Sequence, residues 1–528
     1  MSPIHAHVVR REVPVRGPAS PMMLVYSFFA VAAVGALLLS FPISNRPAEF
    51  MSPITTFFTS VSAMTGTGLV LVDTREHWTG FGQAVIAALI FIGGLGFMTG
   101  AAFLLLITGR RSSLQGRLVV GAGLDDNRLG AIGTLARNII LMAIIVQIIG
   151  AIFIFVRWYL VAPLWEGIGL GEGLWQGVFT AISAFNNAGF DILPDDLVGG
   201  GSLVGLSRDI PTLFIIALLI LAGSSSYSTL SNVVEIRGWH RRSMGSNQML
   251  VGVGVLTMIG LGAFITLVGA KRNVESLEIF GLTVITLSAI YATLAYVIRI
   301  RRWRQLTLDT KLVLVGIAVI LLIGSVSFVS LEWSNPATIG NVSIQSKVTQ
   351  GFFHAVNRTA GFATVDYSAL HTANLSISEG LMFVGGASAS TAAGIKVNTL
   401  MVIVIASFAI FSGKERTTVF GREIPRVNVQ RAMAVGATAT AVVFMLVVSL
   451  FIVQPSLDFG ASLFEIFSAF GNTGWSTGVT SQLNEGAQIV LSITMFVGRF
   501  GPLTIALFMA GRERQDTIHY ASERIRIG

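Results

Sequence analysis

Ten stretches of this chain are each long and apolar enough to cross a bilayer, and a chain built that way cannot bury them all in one water-soluble core. A spanning helix needs about 20 apolar residues at about 1.5 Å each to cover about 30 Å of hydrocarbon. The runs 24–41, 81–108, 139–156, 213–234, 249–270, 279–298, 312–331, 381–411, 432–453 and 489–510 meet that length. Composition agrees, with 53% hydrophobic and only 12% charged residues, where soluble chains carry about 25% charged. The expected fold class is an all-α polytopic membrane protein.

The net charge of +8 does not imply nucleic acid, because the basic residues sit in short clusters between apolar runs (Arg10, Arg11 and Arg16; Arg110, Arg111 and Arg117; Arg237, Arg241 and Arg242; Arg299, Arg301, Arg302 and Arg304). Cytoplasmic loops are basic in this way. A cytoplasmic N-terminus puts these clusters, 414–431 and the tail from Arg512 on one side, against a single exception at Lys271-Arg272. The expectation is a multi-pass protein of the plasma (inner) membrane with both termini cytoplasmic. The first run is followed by Pro42 and Asn45-Arg46-Pro47 instead of a small-residue cleavage site, so it reads as an anchor. With no cysteine there is no disulfide, thiolate zinc site or Fe–S cluster. The seven histidines never pair at ligand spacing, and no Ser, His and acid cluster in one segment, so an enzyme is disfavoured. The glycines at 252–262 lie inside a span without a preceding strand and are no dinucleotide fingerprint, while Asn341, Asn357 and Asn374 open weak glycosylation triplets.

Four further apolar stretches, 54–68, 174–189, 348–361 and 461–474, are too short to cross and suggest re-entrant segments. Irregular backbone at membrane depth survives only when buried in protein or lining water, so four of them imply a pore or a binding cavity. Their ends align: Ser62-Ala63-Met64-Thr65-Gly66-Thr67-Gly68-Leu69, Ser183-Ala184-Phe185-Asn186-Asn187-Ala188-Gly189-Phe190, His354-Ala355-Val356-Asn357-Arg358-Thr359-Ala360-Gly361-Phe362 and Ser468-Ala469-Phe470-Gly471-Asn472-Thr473-Gly474-Trp475. The Ala-to-Gly interval is five, five, six and five residues, and each turn lies between two spans. This is a repeat of helix, pore loop, helix, four times over.

Four such units can close a pseudo-fourfold arrangement around a central ion pore. The boundaries expected are a cytoplasmic segment 1–23, repeats at 24–110, 135–236, 312–412 and 432–511, an inserted helix pair at 249–299, and a cytoplasmic tail 512–528. The insertion leaves two candidates for the second helix of repeat two, 213–234 and 279–298; the compact choice is the first. Inward backbone carbonyls can replace an ion's water shell, and glycine tolerates the positive φ this requires. The candidate lining is Gly66, Thr67, Gly68, Asn187, Ala188, Gly189, Thr359, Ala360, Gly361, Asn472, Thr473 and Gly474. None is charged, so selection would come from dipoles and suits a dehydrated monovalent cation. One Gly-rich loop fits a broken-helix carrier equally well; four in register favour a pore.

Run 381–411 is too long for a straight span and is interrupted by Gly385, Gly386 and Gly394, each costing about 1 kcal/mol relative to Ala in a helix. It holds Lys396, an intramembrane charge of the kind that is usually functional. A gate under the turns and a mere kink are both open readings, and the gate is preferred. Arg499 in the last span needs a partner or water: inside the cavity it would repel cations, elsewhere it would pair with the loop. Arg358 precedes its turn's lining residues, which suits a hydrogen-bonding anchor behind them. Asp73, Asp191 and Asp366 follow three turn glycines by five, two and five residues and would rim the outer mouth, where anions concentrate cations; simple solvated loop acids fit as well.

On these motifs the chain resembles the Trk/Ktr/HKT superfamily of potassium transporters, and within it the KtrB/TrkH type. Residues 357–362 resemble the family's third pore loop, 468–478 its fourth, and 385–396 the break in the second helix of repeat three; 305–314 and 524–528 are also similar to KtrB segments. The inserted pair has no counterpart. The resemblance implies K⁺ uptake through a single-chain filter, a homodimer in membrane lipid, no covalent cofactor, and regulation by a cytosolic nucleotide-binding RCK-type ring. It also places an arginine near the gate at Arg499, with Na⁺ as a candidate activator. The rival readings are an ion-coupled secondary transporter of a small solute, or a K⁺/Na⁺ symporter.

Overall fold

The protein is described by a computed structural model over residues 21–109, 127–161, 168–194, 202–235, 303 and 306–510. Most of the segment 1–23, the loop 110–126, the expected inserted pair 249–299 and the tail 512–528 lie outside the described residues.

Among the described residues the chain is helical apart from one two-stranded hairpin, β1 (Thr418–Val419) with β2 (Arg422–Glu423). The helices fall into four successive groups. The first contains α1 (Pro21–Ser40), α2 (Pro53–Thr65), the single turn α3 (Thr74–His77) and α4 (Gly80–Gly109). The second is α5 (Asn127–Phe155), continued by a π-helical turn Val156–Val161, then α6 (Leu170–Phe185), α7 (Ile210–Ser224) and α8 (Tyr227–Glu235). The third is α9 (Leu308–Glu332), α10 (Ile344–Asn357), α11 (Thr372–Phe383) and α12 (Val397–Phe411), and the fourth is α13 (Arg426–Val453), α14 (Phe459–Gly471) and α15 (Glu485–Ala510). Ala136–Val161, Leu308–Glu332 and Arg426–Val453 are long and apolar enough to cross a membrane. By contrast α2, α6, α10 and α14 have 13, 16, 14 and 13 residues, about 20–24 Å at 1.5 Å per residue, short of a bilayer core.

Each short helix packs inside its own group, α2 on α1 and α4, α6 on α5 and α7, α10 on α9, α14 on α13 and α15. The groups are joined in order by a recurring contact, in which a later helix of one group packs on the short helix of the next: α4 on α6, α7 on α10, α11 on α14, and α15 back on α2. Small residues permit the closest approaches. A Cβ added at Gly93 of α4, Gly223 of α7 or Gly498 of α15 would strike the carbonyl oxygen of Met64, Phe185 or Phe470, the residue one after the aligned alanine in each turn. α7 therefore stands to α6 as α4 stands to α2; the other candidate for that role, 279–298, lies outside the described residues. Large apolar side chains such as Leu322, Phe411 and Phe444 are exposed, whereas buried positions include many Ser, Thr and Asn, an inversion of the water-soluble pattern.

The structure corrects one of the expected spans and shows where the expected interruption in another falls. Run 213–234 is not one helix, because α7 stops at Ser224 and α8 restarts at Tyr227. Ser225 Oγ turns back to the Leu221 carbonyl at 2.8 Å and Ser226 Oγ accepts from the Thr229 N–H at 3.1 Å, so serine side chains compete with the helical ladder and then cap the next helix. Run 381–411 is two helices, α11 and α12, separated by residues 384–396. The third and fourth groups of helices also begin earlier than their apolar runs, since α9 starts at Leu308 and α13 at Arg426. Thr307 caps α9 by accepting from the Thr310 N–H, a polar first turn that hydrophobicity alone does not register.

One half-buried ion pair and one buried carboxylate pin the loops to the helices. Arg157, in the π-helical turn, makes a forked contact with Asp209 at 2.8–3.2 Å, and Asp209 accepts from Thr212 Oγ1 at 2.6 Å at the start of α7. Glu332, fully buried at the end of α9, accepts from Asn335 Nδ2 (2.7 Å), Thr338 Oγ1 (3.0 Å), the His371 N–H (3.0 Å) and Asn374 Nδ2 (3.1 Å). Removing it leaves four donors without their acceptor, with buried Asn374 unable to turn to solvent; an unmet buried donor costs about 1–3 kcal/mol, partly recovered by relaxation. Glu332→Ala is expected to cost at least about 2 kcal/mol and to lower the melting temperature of the detergent-solubilised protein, with Glu332→Gln intermediate; an unchanged melting temperature would show the loop to be held by other contacts.

Candidate functional site

Three of the four short helices end in the same way because their sequences place glycine or asparagine where the chain must turn left-handed. At α2 the Gly66 N–H bonds the Ala63 carbonyl (3.1 Å) and the Thr67 N–H bonds that of Ser62 (2.8 Å). At α6 the pairs are Asn187 to Ala184 (3.2 Å) and Ala188 to Ser183 (2.8 Å), and at α14 Asn472 to Ala469 (3.2 Å) and Thr473 to Ser468 (2.9 Å). This is the Schellman pattern, with its left-handed residue at Gly66 (φ 66°), Asn187 (φ 55°) and Asn472 (φ 49°). The third turn has one more residue and differs: Ala360 and Gly361 both donate to the Asn357 carbonyl, at 2.8 and 3.1 Å. The Asn357 side chain is also committed, bonding both the carbonyl and the N–H of Phe362.

All four turns then reach a glycine of positive φ, Gly68 (89°), Gly189 (69°), Gly361 (76°) and Gly474 (98°). The Cβ direction of each meets the carbonyl oxygen of the next turn: Gly68 that of Ala188, Gly189 that of Ala360, Gly361 that of Thr473, and Gly474 that of Thr67. The structure thus brings the four turns together in a closed cycle of chain order. Several of their side chains bond one another. Asn472 Nδ2 donates to Thr67 Oγ1 at 2.6 Å, and Thr67 Oγ1 lies 2.7 Å from Thr65 Oγ1. Thr473 Oγ1 donates to the Arg358 carbonyl at 2.8 Å. No lining residue is charged, so what the turns have to offer a cation is neutral oxygen: the backbone carbonyls, with Asn187 Oδ1, Thr359 Oγ1 and Asn472 Oδ1 also buried and not hydrogen-bonded.

Beside the turns lies the loop 384–396. Its neck is closed by Gly385 N–H to Ile395 O (2.8 Å), Ile395 N–H to Phe383 O (3.1 Å) and Val397 N–H to Gly386 O (3.0 Å). Gly386 and Gly394 belong to that neck, Gly394 at φ 67°. Buried Arg358 donates to the carbonyls of Leu381, Val384 and Gly385 at the end of α11. Buried Arg499 donates to the Thr391 carbonyl and reaches that of Gly93 at 3.5 Å, so it pairs with the loop. Lys396 donates to the Ala392 carbonyl beside it. Asp73, Asp191 and Asp366 each accept from their own turn, Asp73 from the Glu76 N–H (2.6 Å), Asp191 from the Leu193 N–H (3.3 Å) and Asp366 from Ser368 (2.7–2.8 Å).

Sequence reading passed over several residues that support the turns. Glu465 of α14, buried, accepts from Ser476 Oγ (2.5 Å), the Thr477 N–H (3.2 Å) and Thr480 Oγ1 (2.7 Å), holding the segment after the fourth turn. Trp475 Nε1 donates to the Phe362 carbonyl (3.3 Å), and its ring stacks on His354, itself stacked on Phe328, so an aromatic block backs turns three and four. Asn398 accepts from the Ser388 N–H (3.2 Å) and donates to Asp309 at the start of α9. An acid in an apolar short helix was the available signal for Glu465; Thr391 and Asn398 carried none.

The chain is similar over nearly its whole length to known transport proteins. It is 32% identical over 509 residues to the Ktr system potassium uptake protein B of Bacillus subtilis, covering 96% of each chain. With the potassium/sodium uptake protein NtpJ of Enterococcus hirae it shares 29% over 523 residues, covering 97% and 98%. The crystal structure of the potassium transporter TrkH from Vibrio parahaemolyticus has the same fold, with TM-score 0.64 at 14% identity, covering 94% of this chain and 86% of that one. The profile of the TrkH family, cation transport protein, matches residues 5–519, and this helical membrane protein therefore belongs to the TrkH family of cation transport proteins.

Proposed function

We propose that this chain takes up K⁺ through a single pore whose filter is the backbone carbonyls of the four turns arranged pseudo-fourfold. The observation that carries the reading is the closed cycle of positive-φ glycines, each backed by the carbonyl of the next turn. Carbonyl oxygens from four sides replace a hydration shell, and side-chain bonding between turns keeps them from collapsing inward. The relatives named for potassium uptake support K⁺ as the ion. The one named for potassium and sodium favours a second reading, in which Na⁺ activates or accompanies K⁺; radioactive Rb⁺ flux into liposomes holding the purified protein, with and without Na⁺, separates the two.

On this reading the loop 384–396 is the gate. Docked, it holds its own Lys396 beside the path and is bonded there by Arg499 of α15; displaced, it opens the path. The chain then works as a homodimer in the plasma membrane with cytoplasmic termini, and a cytosolic nucleotide-binding ring biases the loop. A preference of about 3 kcal/mol for the docked state holds the open state below about one per cent, a bias that a ring binding the open form offsets.

Three outcomes are expected. Gly68, Gly189, Gly361 or Gly474 replaced by Ser should each reduce Rb⁺ uptake at least about tenfold, since a Cβ adds about 1–2 kcal/mol of left-handed strain to a collision with the neighbouring carbonyl; full growth rescue at micromolar K⁺ by all four would sink the filter. Deleting residues 387–392 should raise flux in the absence of any ring, with Arg499→Ala raising it less because one bond is lost and the loop stays; a well-folded deletion no more active than wild type leaves the break as a kink. For the rim, Asp73→Asn with Asp366→Asn should weaken apparent K⁺ affinity at low ionic strength and matter less at high salt, because surface potential is screened over about 10 Å at 0.1 M. A salt-independent loss would assign both acids to the turns they cap.

A further inference from the structure

Buried Thr391 of the loop uses all its polar groups on other parts of the chain. Its N–H donates to the Gly223 carbonyl (3.1 Å), its carbonyl accepts from Arg499, its hydroxyl donates to the Phe185 carbonyl (3.2 Å), and the same hydroxyl accepts from Asn187 Nδ2 (2.7 Å). A hydroxyl has one proton; with that proton on Phe185, the Asn187 amide is the donor. Phe185 is the last residue of α6 and Asn187 the left-handed residue of the second turn, directly before the Ala188 carbonyl that backs Gly68. The aligned asparagine of the fourth turn behaves differently: Asn472 donates to Thr67 Oγ1 and to the Met495 carbonyl (3.3 Å), within the turns and α15. One asparagine ties turn to turn, the other ties a turn to the loop.

We infer that the Thr391 hydroxyl is a positioning group that couples the docked loop to the second turn, so that K⁺ binding in the filter and loop docking stabilise each other. The inference rests on the pore reading above and deepens it. When the loop is docked, Asn187 is held by a partner on another group of helices; when the loop leaves, a buried amide loses its acceptor and a non-glycine residue stays at φ 55° with one restraint fewer. The turn then holds its carbonyls less firmly, and K⁺ binds it less well. Linkage runs both ways: an ion that prefers the ordered turn favours the docked loop by the same factor. Filter occupancy thereby resists opening, and the ring must overcome that resistance as well as the loop's own contacts.

The test is the equilibrium K⁺ dissociation constant of the full-length protein without any ring, where the docked state dominates, read by K⁺ protection against thermal unfolding and by titration calorimetry. Thr391→Val should weaken K⁺ about three- to tenfold, the worth of one buried hydrogen bond, and raise Rb⁺ flux; Thr391→Ser should restore both. Asn187→Gly, which tolerates the same φ, should weaken K⁺ similarly and add nothing to Thr391→Val, whereas Asn472→Gly should add in full. Asn187→Gly also supplies the measurement should Thr391→Val not fold. If Thr391→Val raises flux and leaves K⁺ affinity at the wild-type value, Thr391 only anchors the loop and the coupling falls. Additive losses from Asn187→Gly and Thr391→Val would overturn the coupling too. Failure of the pore reading looks different: Gly361→Ser would then bind K⁺ as wild type does, whatever happens at Thr391.

Discussion

Where α7 stops at Ser224, the last helical bond runs from the Ser225 N–H to the Leu221 carbonyl; the carbonyls of Gly223 and Ser224 are left without a helical partner, and hydrocarbon would offer none. The loop between α11 and α12 supplies the donors: Ala387 N–H to the Ser224 carbonyl at 2.9 Å and Thr391 N–H to that of Gly223. Most of the architecture follows from this need to hand backbone hydrogen bonds across helix ends inside the protein. Four short helices stop in the interior, and three end in Schellman turns that satisfy their own carbonyls. The places where that local solution fails are where distant segments meet.

The same need explains why the turn residues take the identities they do. A left-handed residue closes each of three helices, and asparagine fills that role in two of them because its short amide can also cross to a neighbour. Threonine at 67 and 473 does likewise with its hydroxyl. None of these side chains carries a charge, so on the pore reading proposed above a cation would be desolvated by dipoles without being trapped by a full negative charge.

Most of the helices among the described residues, and the four turns, were readable in the sequence because both rest on local, repeated signals: apolar runs of bilayer length, and an alanine followed by glycine at a near-constant interval. The break at Ser225 and Ser226 was not readable as a break, since serine lowers hydropathy little and its competition with the helical ladder depends on where its Oγ turns. The glycines at 93, 223 and 498 stood in plain sight, yet their meaning lies in which carbonyl approaches them. Bonds between Asn187 and Thr391, or Asn472 and Thr67, join residues 204 and 405 apart, and no periodicity connects them. The loop acids were read as a rim from spacing alone; their capping of local turns is equally consistent with that spacing, because Asp favours both.

The third group breaks the pattern in two ways, and the two belong together. Its turn has an interval of six, which inserts Arg358, and its second helix is interrupted after Phe383. In an unbroken helix the Val384 carbonyl would accept from the N–H of residue 388, but the Ser388 N–H is committed to Asn398 Oδ1 at 3.2 Å. Arg358 fills the deficit, since a guanidinium presents several donors in a fixed fork and here reaches the carbonyls of Leu381, Val384 and Gly385 at once. The extra residue in the turn is thus the counterpart of the missing turn of helix. Because the Arg358 carbonyl in turn accepts from Thr473, the neck of the loop is tied to the third and fourth turns, while its tip at Thr391 is tied to the second.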